Sequence, residues 1–587
     1  MKLPGSKIVG TKMVSFSVWA PLATAVDVVG NFNNWQANQS PLTNTGNGYW
    51  EGIINNIKEN DVYKYIIHRA DGDSRYRIDP ATRDTVDSET ENAINHGTIV
   101  NSEYRWYPYT APVFDDLIIY QCHIGSFCGR NDGLNRQNKI ATFQDNIFKL
   151  DYIKSLGFNT IEILPVQEFR GDRSWGYNPS FYYALASAYG RPADLRYFVN
   201  ECHKRGLAVI FDVVYNHISN IDSSFWHFDD GIINSYLSSY ETPWGLSPAF
   251  WQMGIKNFFL SNIDMYFNEY KGDGIRFDAT RYIEYNRGLG NDGWEFMQYL
   301  TWFSKQLYPG KYLIAEHVPP NDSIIDSAGF HATWYRPPYD AFLKAMNGVN
   351  PVDNIKNSIG LNFGSGNVYS FSWNLIKYVL GSHDECGDMN SGNNGHRYYT
   401  EFFGGRGNWF ARSKARMAWS LNIAAMGTPM MFMGSECHMW GYWDDGEDSN
   451  GDHRFDWSIA GDENGMAMRK MVTMTNNLRS SHTALRNGEI EITHEDRVNN
   501  IVGFKRWNET GDVILVVINA GDNNFTDYSY AFHTNQSGQW QQIFCSQDSE
   551  YGGWDGAGNA FYEPYTQADN CININLPKWS VLYFRLL

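Results

Sequence analysis

Over roughly its first hundred residues the chain alternates apolar and polar positions in the manner of β-structure. VSFSVWA (Val14 to Ala20), AVDVVGNF (Ala25 to Phe32) and DVYKYIIHR (Asp61 to Arg69) are β-prone runs separated by Gly and Asn turns, which predicts a small β-sandwich. The pattern ends near Arg105, ahead of the linker-like YPYTAPVFDD. From about Leu117 the rhythm becomes strand, helix, strand. LIIYQCHIGSF reads as a strand, and the helix after it carries Ile147, Leu150, Ile153 and Leu156 on one face before stopping at Gly157. FNTIEILPV is the next strand, and a second helix places Leu195, Phe198, Val199 and Cys202 at helical spacing and ends at Gly206. GLAVIFDVVYNH follows as a strand. A helix around Ile255, Phe259 and Tyr266 leads into GIRFDATRYI, and KYLIAEH, NLIKYVLGSHDE and TPMMFMGSE come later with helical stretches between. ATWYRPP, near residue 332, is the candidate for the sixth strand.

Repeated βα units make a parallel sheet, and about eight of them close a (β/α)8 barrel. After about residue 485 the pattern returns to β, with NIVGFKRW and DVILVVINAG as clear strands. The expected architecture is an α/β (β/α)8 TIM barrel at 106–484, flanked by an N-terminal β-sandwich at 1–105 and a C-terminal all-β domain at 485–587. A chain of 587 residues is long enough for several such units.

Composition narrows the partner. With 47 Lys and Arg against 65 Asp and Glu the net charge is −18, which argues against nucleic acid or an anionic membrane as the main partner and favours a neutral substrate. Aromatic residues are 16% of the chain, and their faces stack on core neighbours or on the apolar faces of sugar rings. Seven scattered Cys residues without CxxC spacing read as reduced, structural thiols. MKLPGSKIVG has no apolar stretch of signal-peptide type and no apolar run approaches a membrane span, so a cytoplasmic protein is expected.

The chemistry lies at the strand ends. In GIRFDATRYI, Arg276 and Asp278 are two residues apart and share one face of a strand. An isolated pair of this kind is ordinarily a structural ion pair, because buried charge is costly unless partnered. Here the neighbouring ends are also polar: FDVVYNH supplies Asp212, Asn216 and His217, LIAEH supplies Glu316, and GSHDE supplies His383, Asp384 and Glu385. In a barrel these ends converge on the face where active sites sit. Repulsion among Asp212, Asp278, Glu316 and Asp384 would be a poor choice for a structural cluster. A metal site is disfavoured by the intervening Arg276 and the lack of ligand-type spacing. Paired carboxyls at a barrel mouth suit glycoside cleavage, one attacking the anomeric carbon and one protonating the leaving oxygen. Arg276 is then expected to lower the pKa of Asp278 and keep it ionised, while an acid such as Glu316 needs a raised value.

The set FDVVYNH, GIRFDATRYI, LIAEH and GSHDE resembles the four sequence regions of the α-amylase superfamily (glycoside hydrolase family 13), in order, and the resemblance spans essentially the whole chain. VSFSVWAPLATAVDVVGNFNNWQ is similar to the glucan-binding sandwich of branching, debranching and trehalose-releasing members. The resemblance implies that Asp278 is the nucleophile, Glu316 the general acid/base and Asp384 the carboxylate that binds sugar hydroxyls in the transition state. It also implies that His217 and His383 bind hydroxyls of the same sugar, that Asp212 orients Arg276, and that Tyr177 of SWGYNP is an aromatic platform under the ring. No metal or cofactor is implied, and a calcium role for Asn216 is not expected.

Within the superfamily, LPVQEFRGDRSWGYNPSFYYALASAYGRPADL, IYQCHIGSF and the HDE of GSHDE resemble 1,4-α-glucan branching enzymes. Two features depart: LIAEHVPP lacks the consecutive acids usual there, and TPWG is shared with trehalohydrolase-like and debranching members. The expected partner is an α-glucan, handled by a monomer, with branching the preferred activity and hydrolysis on the same site the alternative. Trp35 and Trp50 are open between glucan stacking and core packing, and Cys386 has no partnered base.

Overall fold

The protein is described here from a computed structural model covering residues 3–87, 94–136, 139–229, 235–359, 374–553, 561–562 and 570–587. Its centre is a closed barrel of eight parallel strands: β1 Ile119–Cys122, β2 Thr160–Ile163, β3 Ala208–Val213, β4 Gly274–Phe277, β5 Tyr312–Ala315, β6 Ala332–Trp334, β7 Leu375–Lys377 and β8 Thr428–Phe432. The sixth strand lies where ATWYRPP placed it. Each strand is shorter than its sequence pattern, because the polar ends have left the ladder for the rim loops.

The period of two explains the interior. Ile119, Ile210, Ile314, Trp334, Ile376 and Met430 pack together inside the barrel, while Ile161, Val209, Phe211, Ile275 and Leu313 belong to the larger core that includes the surrounding helices. Two residues further along their strands, the inward positions after Ile119, Ile210 and Ile314 are Gln121, Asp212 and Glu316. An apolar floor thus gives way to a polar rim within one alternation.

The helix expected from Ile147 to Leu156 is two, Phe143–Ile147 and Leu150–Ser155. Its apolar stripe is interrupted at Phe148, which is 72% exposed. Pro192–Lys204 forms as expected, with Pro192 in its first turn. Met253–Asp264 runs on into a π-turn, Met265–Glu269, before β4.

Ahead of the barrel, Gly5–Gly10, Met13–Trp19, Tyr49–Asn55 and Thr43–Gly46 form one sheet, and Ala23–Gly30, Val62–Arg69, Ser74–Arg77, Thr85–Asp87 and Ile94–Thr98 form another. Val14, Phe16 and Val18 alternate into the core, where Phe16 meets Tyr63 edge-on at 5.2 Å. Trp50 belongs to that core: it is 7% exposed and its indole donates to the Ala20 carbonyl. Trp35 is half-buried against His96. The sandwich docks on the barrel through Trp19, which lies against Gly254; a Cβ there would fall 2.1 Å from the indole. Arg83 pairs with Glu269 across the same junction at 2.8 Å.

After the barrel, Glu489–Asp496, Ile501–Trp507, Val513–Asn519, Ser580–Leu586, Trp540–Cys545 and Phe561–Tyr562 make a sheet, with Phe525–His533 and Cys571–Leu576 paired beside it. All seven Cys residues are buried thiols. No helix among the described residues is long and apolar enough to cross a membrane.

Candidate active site at the barrel rim

Arg276 is the hub. It projects inward from β4, fully buried, with its guanidinium 4.2 Å above the Trp334 ring of β6. Nη1 donates to both carboxylate oxygens of Asp212, at 2.8 and 2.7 Å, and to Asp278 Oδ1 at 3.1 Å. Nη2 lies 2.9 Å from Glu316 Oε2. That contact is a close ion pair, and among the described residues Nη2 has no well-aligned hydrogen bond. Three carboxyls therefore crowd one cation.

The backbone just past β4 sets the geometry. Ala279 is held at φ +42°, a conformation rare for a residue with a Cβ and a known form of strain at functional sites. From there its N–H donates to Glu316 Oε2 at 2.8 Å, while the next residue, Thr280, bonds the Glu316 carbonyl through both N–H and hydroxyl. The residue after the candidate nucleophile thus fixes the candidate acid. On the other side, Asn216 Nδ2 donates to Asp278 Oδ2 at 2.8 Å and to its carbonyl at 3.0 Å. That amide is committed to a carboxylate, and among the described residues no group of three or more His, Cys, Asp or Glu side chains is arranged to hold a metal ion.

The protonation pattern follows from charge counting. Burial pushes Asp278 up to about 6, reinforced by Asp212 and opposed by Arg276 and Asn216. Arg276 does not, then, depress Asp278 below the ordinary carboxylate range as its proximity suggested; desolvation wins. Asp212 is raised to about 6 for the same reason, while Arg276 is held firmly protonated by its carboxylates. The partners differ in sign of benefit because one cation is shared among three anions. Both Asp212 oxygens accept from Nη1, and the Tyr177 hydroxyl donates to one of them, which supports an ionised Asp212. Glu316 is raised by burial and by Asp278, against the pull of Arg276. Burial and Asp278 thus favour the protonated form of Glu316, the form a general acid needs. Asp278 and Glu316 each contact the Arg276 guanidinium, at 3.1 and 2.9 Å, and so stand side by side.

The remaining expected residues also gather here. Asp384 is pushed up by burial and by Glu316, but its side chain is 46% open to the cleft, so water moderates that shift. His383 is buried, with Nε2 3.3 Å from Asp384 Oδ1. Tyr177 stacks on His383 at 5.0 Å and 13° and donates its hydroxyl to Asp212 at 2.6 Å. One face of the expected sugar platform is therefore covered by His383. His217 has Nδ1 2.5 Å from Asn216 Oδ1 and Nε2 2.9 Å from the Tyr177 carbonyl. Burial holds its pKa down to about 4, and a neutral ring donates to one of those oxygens only. As placed, His217 braces the loops after β2 and β3.

Glu385, the last residue of HDE, is buried, and Oε2 caps its own turn by accepting from Ser382 N and Oγ at 2.9 and 2.7 Å. Cys386 is fully buried, with its thiol well above the usual range. Sequence reasoning missed Trp334, beneath Arg276, and the buried pair Gln121 and Glu162 on β1 and β2. Glu162 did carry a signal: a carboxylate inside the apolar run TIEIL.

A barrel with this rim, between a β-sandwich and a β domain, resembles the α-amylase superfamily, and three separate stretches of the chain match models of that family's domains. Residues 4–82 match carbohydrate-binding module 48 (isoamylase N-terminal domain), 135–244 the alpha amylase catalytic domain, and 492–586 the alpha amylase C-terminal all-beta domain. Relatives similar to it over nearly its whole length include 1,4-alpha-glucan branching enzymes. That of Nitrosospira multiformis is 28% identical over 99% of this chain and 81% of its own, and that of Marinobacter nauticus 27% identical over 93% and 88%. The fold is shared with a pullulanase from Bacillus acidopullulyticus at TM-score 0.78 and 20% identity, over 99% of this chain and 74% of that one.

Proposed function

We propose that the protein is a retaining 1,4-α-glucan branching enzyme. The observation that carries this reading is the end-to-end likeness to branching enzymes, combined with a rim in which Arg276 holds Asp278 and Glu316 side by side. Asp278 attacks the anomeric carbon of an α-1,4-linked chain while Glu316 gives its proton to the departing oxygen. Asp384 and His383 bind the sugar's hydroxyls, Asp212 and Tyr177 hold Arg276 in place, and His217 supports the floor. Glu316, now a base, takes the proton from the 6-hydroxyl of an acceptor glucan, which attacks the glycosyl-enzyme and forms an α-1,6 branch. Transfer outruns hydrolysis where a bound acceptor holds that hydroxyl at an effective concentration far above that of water.

Hydrolysis on the same site is the second reading. It is favoured by His317, which stands where branching enzymes usually have a second acid and is buried against Thr280. Treatment of amylose separates the two. Branching removes iodine staining while reducing ends barely rise, and debranching the product then releases short linear chains. A rise of reducing sugar in step with the loss of staining refutes the branching assignment.

A further inference from the structure

Below the cleft floor lies a polar pair that glycosyl transfer as written above does not use. Gln121 of β1 and Glu162 of β2 are register partners, both fully buried, and Gln121 Nε2 donates to Glu162 Oε1 at 2.9 Å. The other end of the Gln121 amide faces the rim: Oε1 accepts the His383 backbone N–H at 3.1 Å and lies 3.4 Å from His383 Nδ1. The amide's orientation follows from its neighbours. A backbone N–H can only donate, so the oxygen of Gln121 must face His383 and its NH2 must face Glu162.

A structural stitch between β1 and β2 is the plain alternative, and the site argues against it. The two strands are already joined by their ladder, and nearby inward positions are apolar: Ile119, Ile210, Ile314 and Met430. Glu162 Oε2 is buried without a hydrogen-bond partner among the described residues. A leucine there would avoid the cost of an unmet buried oxygen, so a carboxyl retained at that position serves something other than stability.

We propose that Gln121 and Glu162 are a positioning pair that sets the orientation of His383, and through it Asp384, toward the sugar. The inference rests on the α-glucan reading of the rim. Glu162 fixes the Gln121 amide, and Gln121 Oε1 then anchors the His383 main chain and draws the ring proton to Nδ1. Burial keeps the His383 ring neutral, so Nε2 is left as an acceptor beside Asp384 Oδ1. Two adjacent acceptors fit two neighbouring sugar hydroxyls, each donating. Burial also pushes the Glu162 carboxyl up to about 8, so at neutral pH it is a neutral acid that glutamine copies in shape and polarity.

The test compares Glu162→Gln, Glu162→Leu and Gln121→Leu in the full chain, with kcat and KM on amylose followed by loss of iodine staining, whether the chain is transferred or hydrolysed. Glu162→Gln is expected within about 3-fold of the parent, whereas Glu162→Leu and Gln121→Leu lower kcat roughly 10- to 100-fold with KM within about 3-fold, as for loss of an interaction made in the transition state. In 15N-histidine spectra, with His383→Asn to assign the signal, the His383 ring changes from the Nδ1–H form to a tautomer mixture in Gln121→Leu. Parental kcat in folded Glu162→Leu and Gln121→Leu overturns the proposal, as does Glu162→Gln as impaired as Glu162→Leu. Should Glu162→Leu not fold, Gln121→Leu and the tautomer signal decide. A parent inactive on amylose overturns the glucan reading instead, and the tautomer measurement still tests the pair.

Discussion

Two clusters of buried charge lie in this barrel, and they are built on opposite principles. At the rim, Asp212, Asp278 and Glu316 compete for the single cation Arg276. Outside β7 and β8, against the C-terminal sheet, Lys377, Arg479 and Arg506 are buried together and like charge meets like. There the arginines are met by main-chain oxygens. Arg479 donates to the carbonyls of Asp115, Gly427 and Leu485, and Arg506 to those of Ala424 and Glu489. Ala424 ends the helix Trp409–Ala424, where the helix dipole favours a cation. The cationic cluster closes a seam between domains. The rim cluster has no such resolution, since each carboxyl there raises the proton affinity of the next. Buried charge alone does not mark a site; unresolved competition among like charges does.

The sharpest way to test that contrast is Asp278→Asn. It removes one competing anion and the nucleophile together, so activity on amylose should fall at least ~1,000-fold while glucan binding and the melting temperature hold or improve. A variant with near-parental turnover would show that the nucleophile is misassigned. In the seam the signs reverse. Arg506→Met strips donors from buried carbonyls and should cost about 2–4 kcal/mol of stability by urea unfolding, with kcat unchanged below the transition. Lys377→Met should raise stability by about 1–2 kcal/mol, because the ammonium is fully buried with no hydrogen-bond partner among the described residues. Loss of stability there would mean that the ammonium has a stabilising role. The smallest effect is a pH limb. Asp278 is raised to about 6, so its reactive ionised form is present above that value and lost as pH falls through it; kcat/KM should be halved near pH 6 and drop about tenfold per unit below. A profile flat to pH 4.5 would place the ionisation elsewhere.

Much of the site could be read from the chain because strand periodicity is local. Arg276 and Asp278 face one way for being two residues apart, and Asp212 and Glu316 stand out as charges closing apolar runs. The same rule applied to TIEIL would have pointed to Glu162. Trp334 gave no such warning, since an aromatic in an apolar strand reads as core, and it becomes a guanidinium platform only once β4 and β6 share a barrel. Glu385 misled in the other direction: it stands out within a motif, yet its carboxyl is used up on its own turn.

By itself the sequence determined the order of elements, the place of every barrel strand including the sixth, and which residues arrive at the rim. Those depend on periodicity, turn residues and spacing, all short-range. Tertiary structure alone decided how the charges share protons. Desolvation, set by the surrounding barrel, outweighs Arg276 at Asp278 and raises Glu316 as well. It likewise decided between core and surface for Trp50, and joined Gln121, Glu162 and His383, residues as far apart as 262 positions, through one amide. Burial and long-range register exist only after the barrel closes, so no local pattern encodes them in readable form.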